Sequence, residues 1–214
     1  MSDQGATDGG ARERILAAAV ERIARDGIDG VRIARIAMDA RVSTALVHYH
    51  FETREALLEQ ALEYSYELAG EVRLGTGEGD VRDSVDRLAA MVDQFLPYPG
   101  ILERDWILWV ELWLRAVRHA EMRPTAARLY RRMREWFAEA IATGVERGEL
   151  DAKGADPERV AGRLMALADG YGVRALFGDI ELEQARREIW AALVHDLGVR
   201  AEMPPRLDPP YPPQ

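Results

Sequence analysis

Apolar residues recur at intervals of three and four from Ile15 to Leu197, and no stretch alternates apolar with polar as a half-buried strand does. A chain with only that period buries its apolar surface by packing helix on helix. Glycine and proline cut the pattern into segments. The first helix is expected from about Ala11 to Arg25, with Ile15, Leu16, Ala19, Val20 and Ile23 on one stripe and Asp26-Gly27 at its end. Short helices follow at about 32–39 and Ser43–His50, the second with Ser43 as N-cap. Thr53 caps a long helix to about Leu74, and the glycine-rich stretch 75–79 breaks the chain. The next helix carries Val81, Val85, Leu88, Val92 and Phe95, and Pro97–Gly100 stops it. A helix at about 101–119 is apolar nearly all round from Trp106 to Leu114, Glu111 apart, and so belongs in an interior. Pro124 opens another, Gly144 to Asp156 reads as a loop, and the last two helices span about 157–177 and 181–198. The fold class is therefore all-α, with about nine helices.

Composition excludes several classes. The 214 residues contain no cysteine, hence no disulfide, thiol chemistry or Cys-ligated metal. No apolar run reaches the length of a membrane span, and the polar start lacks the core of a signal peptide. A cytoplasmic protein without membrane association is expected. His48, His50, His119 and His195 show no zinc-type spacing, and no phosphate loop, dinucleotide fingerprint or nucleophile elbow is present. These absences argue against an enzyme, and no cofactor or metal is expected. A net charge of −9 rules out a histone-like coat but not a local positive docking face.

Two short helices joined by a tight turn have the geometry of a helix-turn-helix. Ile36, Ala37 and Ala40 would pack the first, Val42 would anchor the turn, and Leu46 and Val47 would bury the inner side of the second. That leaves Thr44, Ala45, His48, Tyr49 and His50 outward, as a helix lying in a major groove requires. From Gly30 to Arg54 there are four arginines (32, 35, 41, 54) against Asp39 and Glu52, whereas residues 1–60 carry eight arginines and ten acids. Positive charge is thus concentrated on this unit. Arg54, in the first turn of the helix capped by Thr53, is assigned a phosphate contact. Thr44, Ala45 and His48 are candidates for base edges, with Ala45 able to meet a thymine methyl.

Over residues 12–68 the chain resembles the DNA-binding region of the TetR (tetracycline-repressor) family. The resemblance is carried by Ile15-Leu16, Ala19, Gly27, Ile36-Ala37, Ala40, Val42-Ser43, His48-Tyr49-His50-Phe51 and Arg54-Glu55-Ala56-Leu57-Leu58. Three positions depart from it: Arg41 stands where glycine is common, Arg32 where threonine is, and His48 where tyrosine is. The resemblance implies that Tyr49 and His50 contact the DNA backbone. It further implies a homodimer through the last two helices, about 157–198, and a ligand-released repressor on a near-palindromic double-stranded operator. The DNA-binding set is then Arg32, Arg41, Ser43, Thr44, Ala45, His48, Tyr49, His50 and Arg54.

The expected organisation is a flexible arm at residues 1–10, a helix-turn-helix domain at 11–56, a ligand-binding and dimerisation domain at 57–200, and a proline-rich, disordered tail at 201–214. Trp106, Trp109 and Trp113 fall on one helical stripe, with Met91 and Phe95 before them and Met133, Trp136 and Phe137 after. These residues either line a cavity for a small, mostly apolar effector or fill the core. Glu111 either holds a cationic ligand among the tryptophans or pairs with Arg115 one turn on. The tryptophan-rich helix and Leu167-Ala168-Asp169-Gly170-Tyr171 are similar to the choline-responsive regulators of the family, with Asp169 a pocket group or a structural cap. The competing reading is a helical interaction module that binds no DNA.

Overall fold

The computed structural model describes residues 4–75, 83–151, 154, 156–199 and 202–206. Residues 1–3, the breaker beyond Gly75, Val81 and the tail beyond Arg206 lie outside the described residues. Among the described residues there are nine α-helices, one short 3-10 turn (Ala120–Met122) and no strand. The helices are α1 (Gln4–Gly30), α2 (Ile33–Asp39), α3 (Thr44–His50), α4 (Arg54–Gly75), α5 (Ser84–Gln94), α6 (Ile101–Arg118), α7 (Arg123–Glu146), α8 (Pro157–Leu176) and α9 (Leu182–Leu197). They form two compact units, residues 1–70 with 107–126, and residues 71–106 with 127–214.

In the first unit α1 packs on α2 and α3, and α2 packs on α3. The predicted α1 stripe is the buried one: Ile15, Leu16, Ala19, Val20 and Ile23 all lie inside, joined by Ile36, Ala37, Val47, Phe51, Leu57 and Leu58. Gly27 breaks α1 with φ 67° and ψ 161°, conformations an L side chain rarely adopts. At its other end α1 starts earlier than expected, taking in residues 4–10 of the supposed arm. Adding a residue to an existing helix costs far less than starting one. Arg22 is buried beneath the turn, donating to both oxygens of Asp39 at 2.5 and 2.9 Å and to Asp26 at 3.2 Å. Its guanidinium holds both carboxyl groups below the usual carboxylate range.

In the second unit α9 packs on α8 and on α5. Asp83 caps α5 by accepting from Val85 and Asp86, and Asp156 caps α8 with Pro157 in its first turn. The α7 helix runs through Gly144, where the sequence predicts the start of a loop. Leu150 lies 2.4 Å from where a Cβ at Gly144 would sit, so this glycine serves close approach rather than termination. The centre of the unit holds a buried ion pair between Asp93 on α5 and Arg186 on α9. Arg186 also donates to the Pro204 carbonyl at 2.8 Å, and the Arg206 guanidinium lies 4.4 Å from the Tyr98 ring centroid. The first residues of the tail are therefore held against α9 and the segment that follows α5.

Candidate functional site

The α2–α3 turn is built as the sequence indicated, with one strained residue. Val42 donates its N–H to the Ala37 carbonyl at 2.9 Å, and the Ser43 hydroxyl accepts from Leu46 at 3.1 Å, capping α3. Just before Val42, Arg41 has φ 55°, in the left-handed region. An L residue there costs about 1–2 kcal/mol relative to glycine, of which glycine's freer unfolded chain gives back part. Arg41→Gly is expected to raise the melting temperature by about 2–4 °C, the shift that ~1 kcal/mol produces in a chain of this size. An unchanged or lower value in thermal melts would mean that the arginine makes a stabilising contact of similar size.

Val47 is buried and Leu46 half-buried, while Thr44, Ala45, His48 and Tyr49 are exposed, Tyr49 at 73%. Exposure on that scale leaves most of the Tyr49 ring outside the core. Arg32 and Arg41 are exposed in the same unit, and Arg32 donates to the carbonyls of Asp29 and Val31 at 2.9 and 3.2 Å. His50, expected to point outward, is half-buried, its ring edge-on to Tyr49 with centroids 5.2 Å apart and 6.2 Å from Phe51. The end of α3 turns His50 toward the anchor Phe51.

Arg54 has backbone partners that the sequence did not announce. Thr53 does cap α4, accepting from Ala56 at 3.0 Å. The Arg54 guanidinium, however, donates to the Ile28 carbonyl at 2.5 Å and to the Val31 carbonyl at 3.4 Å. The break at Gly27 leaves carbonyls that need donors, and Arg54 supplies them. Glu111 does not make the expected pair with Arg115. Its carboxylate accepts the Ile28 N–H at 3.3 Å, within the first unit. Arg115 instead lies 3.7 Å from Asp29 and 3.9 Å from Glu55.

The ten residues assigned to an effector divide between the units. Trp109, Glu111 and Trp113 belong to the first, where Trp109 stands edge-on to Tyr66 at 6.2 Å. The α6 helix is not interior all round, since Leu114 and Val117 on it are exposed. Met91, Phe95, Trp106, Met133, Trp136, Phe137 and Asp169 belong to the second unit. There Phe95 stacks on Trp136 at 6.2 Å and meets Phe137 edge-on at 4.7 Å. Trp106 donates its indole N–H to the Phe95 carbonyl at 3.3 Å, and its ring occupies the space that a Cβ at Gly172 would need. Met91 and Met133 are buried as well. Asp169 accepts from the Tyr130 hydroxyl at 2.9 Å, and burial pushes its carboxyl up to about 6. Sequence reasoning missed Tyr130, whose one signal was its place a turn before Met133 and two turns before Phe137 on α7.

Residues 15–61 match the family model for bacterial regulatory proteins of the tetR family, and residues 84–198 match the C-terminal model of BetI-type transcriptional repressors. No curated protein matches the chain in sequence. Among solved structures, a TetR-family transcriptional regulator from Rhodococcus sp. is 31% identical with a TM-score of 0.77, covering 88% of this chain and 99% of its own. A transcriptional regulator from Saccharomonospora viridis, solved in complex with choline, is 31% identical with a TM-score of 0.76, covering 87% and 97%. A TetR transcription regulator from Haloarcula marismortui is 25% identical with a TM-score of 0.74, covering 87% and 98%.

Proposed function

The chain belongs to the TetR family of transcriptional regulators, and from that premise we propose that it is a cytoplasmic, homodimeric repressor whose α3 reads a near-palindromic operator and whose helical domain binds a small effector that releases the DNA. One observation supports the DNA reading above others. On a seven-residue helix the inner side is buried by Val47, while Thr44, Ala45, His48 and Tyr49 all face solvent beside Arg41. That leaves short and aromatic groups for base edges and sugar–phosphate, with a cation next to them. A twofold dimer through α8 and α9 presents two such helices about 34 Å apart, one groove repeat. Arg32, Arg41, Ser43, Thr44, Ala45, His48, Tyr49, His50 and Arg54 remain the proposed DNA-facing set, and Arg54 also shapes the connection into α2.

The test is fluorescence anisotropy with a duplex that the purified protein selects from a random-sequence pool. Binding at least ~10³-fold tighter than to a scrambled duplex, falling steeply with salt, is the expected result. Equal and weak binding to both duplexes would favour the interaction module.

For the effector we propose a small organic cation with an apolar body. Asp169 supplies the charge, among Trp106, Trp136 and the other aromatic groups of the second unit. The Saccharomonospora viridis relative with bound choline is consistent with that chemistry. A cation needs the Asp169 carboxylate ionised. With that carboxyl pushed up to about 6, choline affinity measured by titration calorimetry is expected to hold above pH 7 and to fall as the pH drops through 6. Choline binding that is absent, or equally tight at pH 5 and 8, would rule out this role for Asp169.

A further inference from the structure

Residues 107–118 of α6 lie within the sequence matched by the C-terminal family model, yet they fold into the same compact unit as α1, α2 and α3. There α6 engages the connection that delivers the chain into α2. Gly27 interrupts α1 and leaves the Ile28 N–H outside regular helical bonding, and the Glu111 carboxylate accepts it at 3.3 Å. The carbonyls of the same stretch, at Ile28 and Val31, are held by Arg54 of α4 at 2.5 and 3.4 Å. Arg115, one turn beyond Glu111, bridges Asp29 and Glu55 at longer range. Residues 27–31 are thus gripped from the amide side by α6 and from the carbonyl side by α4. The α2 helix begins two residues after Val31.

From this geometry we infer that Glu111 is a positioning residue for DNA recognition: without touching DNA, it fixes the connection that sets the pose of α2 and α3. The inference rests on the DNA-binding reading above. A carboxylate on a part-buried backbone N–H is a charge-assisted bond, and losing it leaves that donor unsatisfied. Gly27 is matched to it, since a Cβ at Gly27 would lie 3.0 Å from Glu111 Oε1 at a φ of +67°. A mispositioned α3 loses base contacts, whereas binding through charge alone depends on the number of cations and is indifferent to pose.

The experiment compares Glu111→Ala and Glu111→Gln with the unsubstituted full chain on the selected and scrambled duplexes, at two salt concentrations. Glu111→Ala is expected to lose about tenfold on the selected duplex, the size of one charged hydrogen bond, with scrambled-duplex affinity and salt slope unchanged. Glu111→Gln keeps an oxygen for the Ile28 N–H and is expected to stay within about twofold. If Glu111→Ala melts below the assay temperature, Gly27→Ala takes its place and is expected to show the same selective loss. Unchanged affinity of the Ala variant for the selected duplex would overturn the inference, and so would equal losses on both duplexes. If the unsubstituted protein selects no duplex, the DNA-binding reading fails first and this one falls with it.

Discussion

Ala45→Asp is expected to abolish sequence-specific DNA binding, lowering affinity for the selected duplex by about 10³-fold or more, to the level of scrambled DNA. Ala45 is exposed and is the second residue of α3 after the Ser43 cap. A carboxylate in the first turn of a helix is favourable to that helix, so the fold loses nothing. On the DNA side the same group introduces repulsion from phosphates and removes the small apolar contact that a thymine methyl accepts. The discriminating measurement pairs anisotropy with a thermal melt. A large loss of affinity at an unchanged melting temperature is the expected pair of results. Affinity within threefold of the unsubstituted protein would show that α3 does not enter the groove.

The second large effect concerns stability. Arg186→Met is expected to cost about 3–5 kcal/mol at neutral pH, the range for breaking one partner of a buried ion pair. Arg186 is 3% exposed and Asp93 9%, and no solvent compensates the carboxylate once its partner is gone. Burial already pushes the Asp93 carboxyl up, against the pull of Arg186. Removing that pull raises it further. A raised folded-state value means that the penalty is absent at pH values below the unfolded range of about 4 and complete only above the folded value. Denaturant titrations should therefore show the deficit shrinking from pH 8 to pH 5. Arg186→Met combined with Asp93→Leu should recover most of the loss, because a well-packed apolar pair replaces a buried ionic one at little net cost. A deficit independent of pH, or no recovery in the pair, would mean that the side chains matter through packing alone.

Much of this architecture was legible because the features concerned are local. The α1 stripe, the Ser43 and Thr53 caps and the burial of Val47 each follow from spacing within a turn or two. Arg41 was legible as an anomaly, and its φ of 55° is the physical content of that anomaly. Contacts with a distant partner were not legible. Arg54 has the right helix position for phosphate, and it also donates to backbone carbonyls 23 and 26 residues upstream. Glu111 has an arginine one turn away, yet it accepts from an N–H 83 residues upstream. Asp93 and Arg186 likewise meet across 93 residues, with no pattern in either helix to announce the pair. Periodicity reports which face of a helix is buried, not what that face meets. The three tryptophans of α6 share a stripe in sequence but not a compact unit in the fold.

The division of α6 bears on how such proteins exchange parts. Effector domains are commonly shuffled by cutting at the junction that sequence suggests, here the end of the first family match at residue 61. A chimera cut there would inherit a foreign residue where Ile28 needs Glu111 and a foreign residue where Asp29 and Glu55 meet Arg115. The compact unit proposed to read DNA is discontinuous, two stretches of sequence folded as one body. Grafts that carry residues 107–126 together with 1–70 should keep operator specificity, where simple N-terminal grafts degrade it.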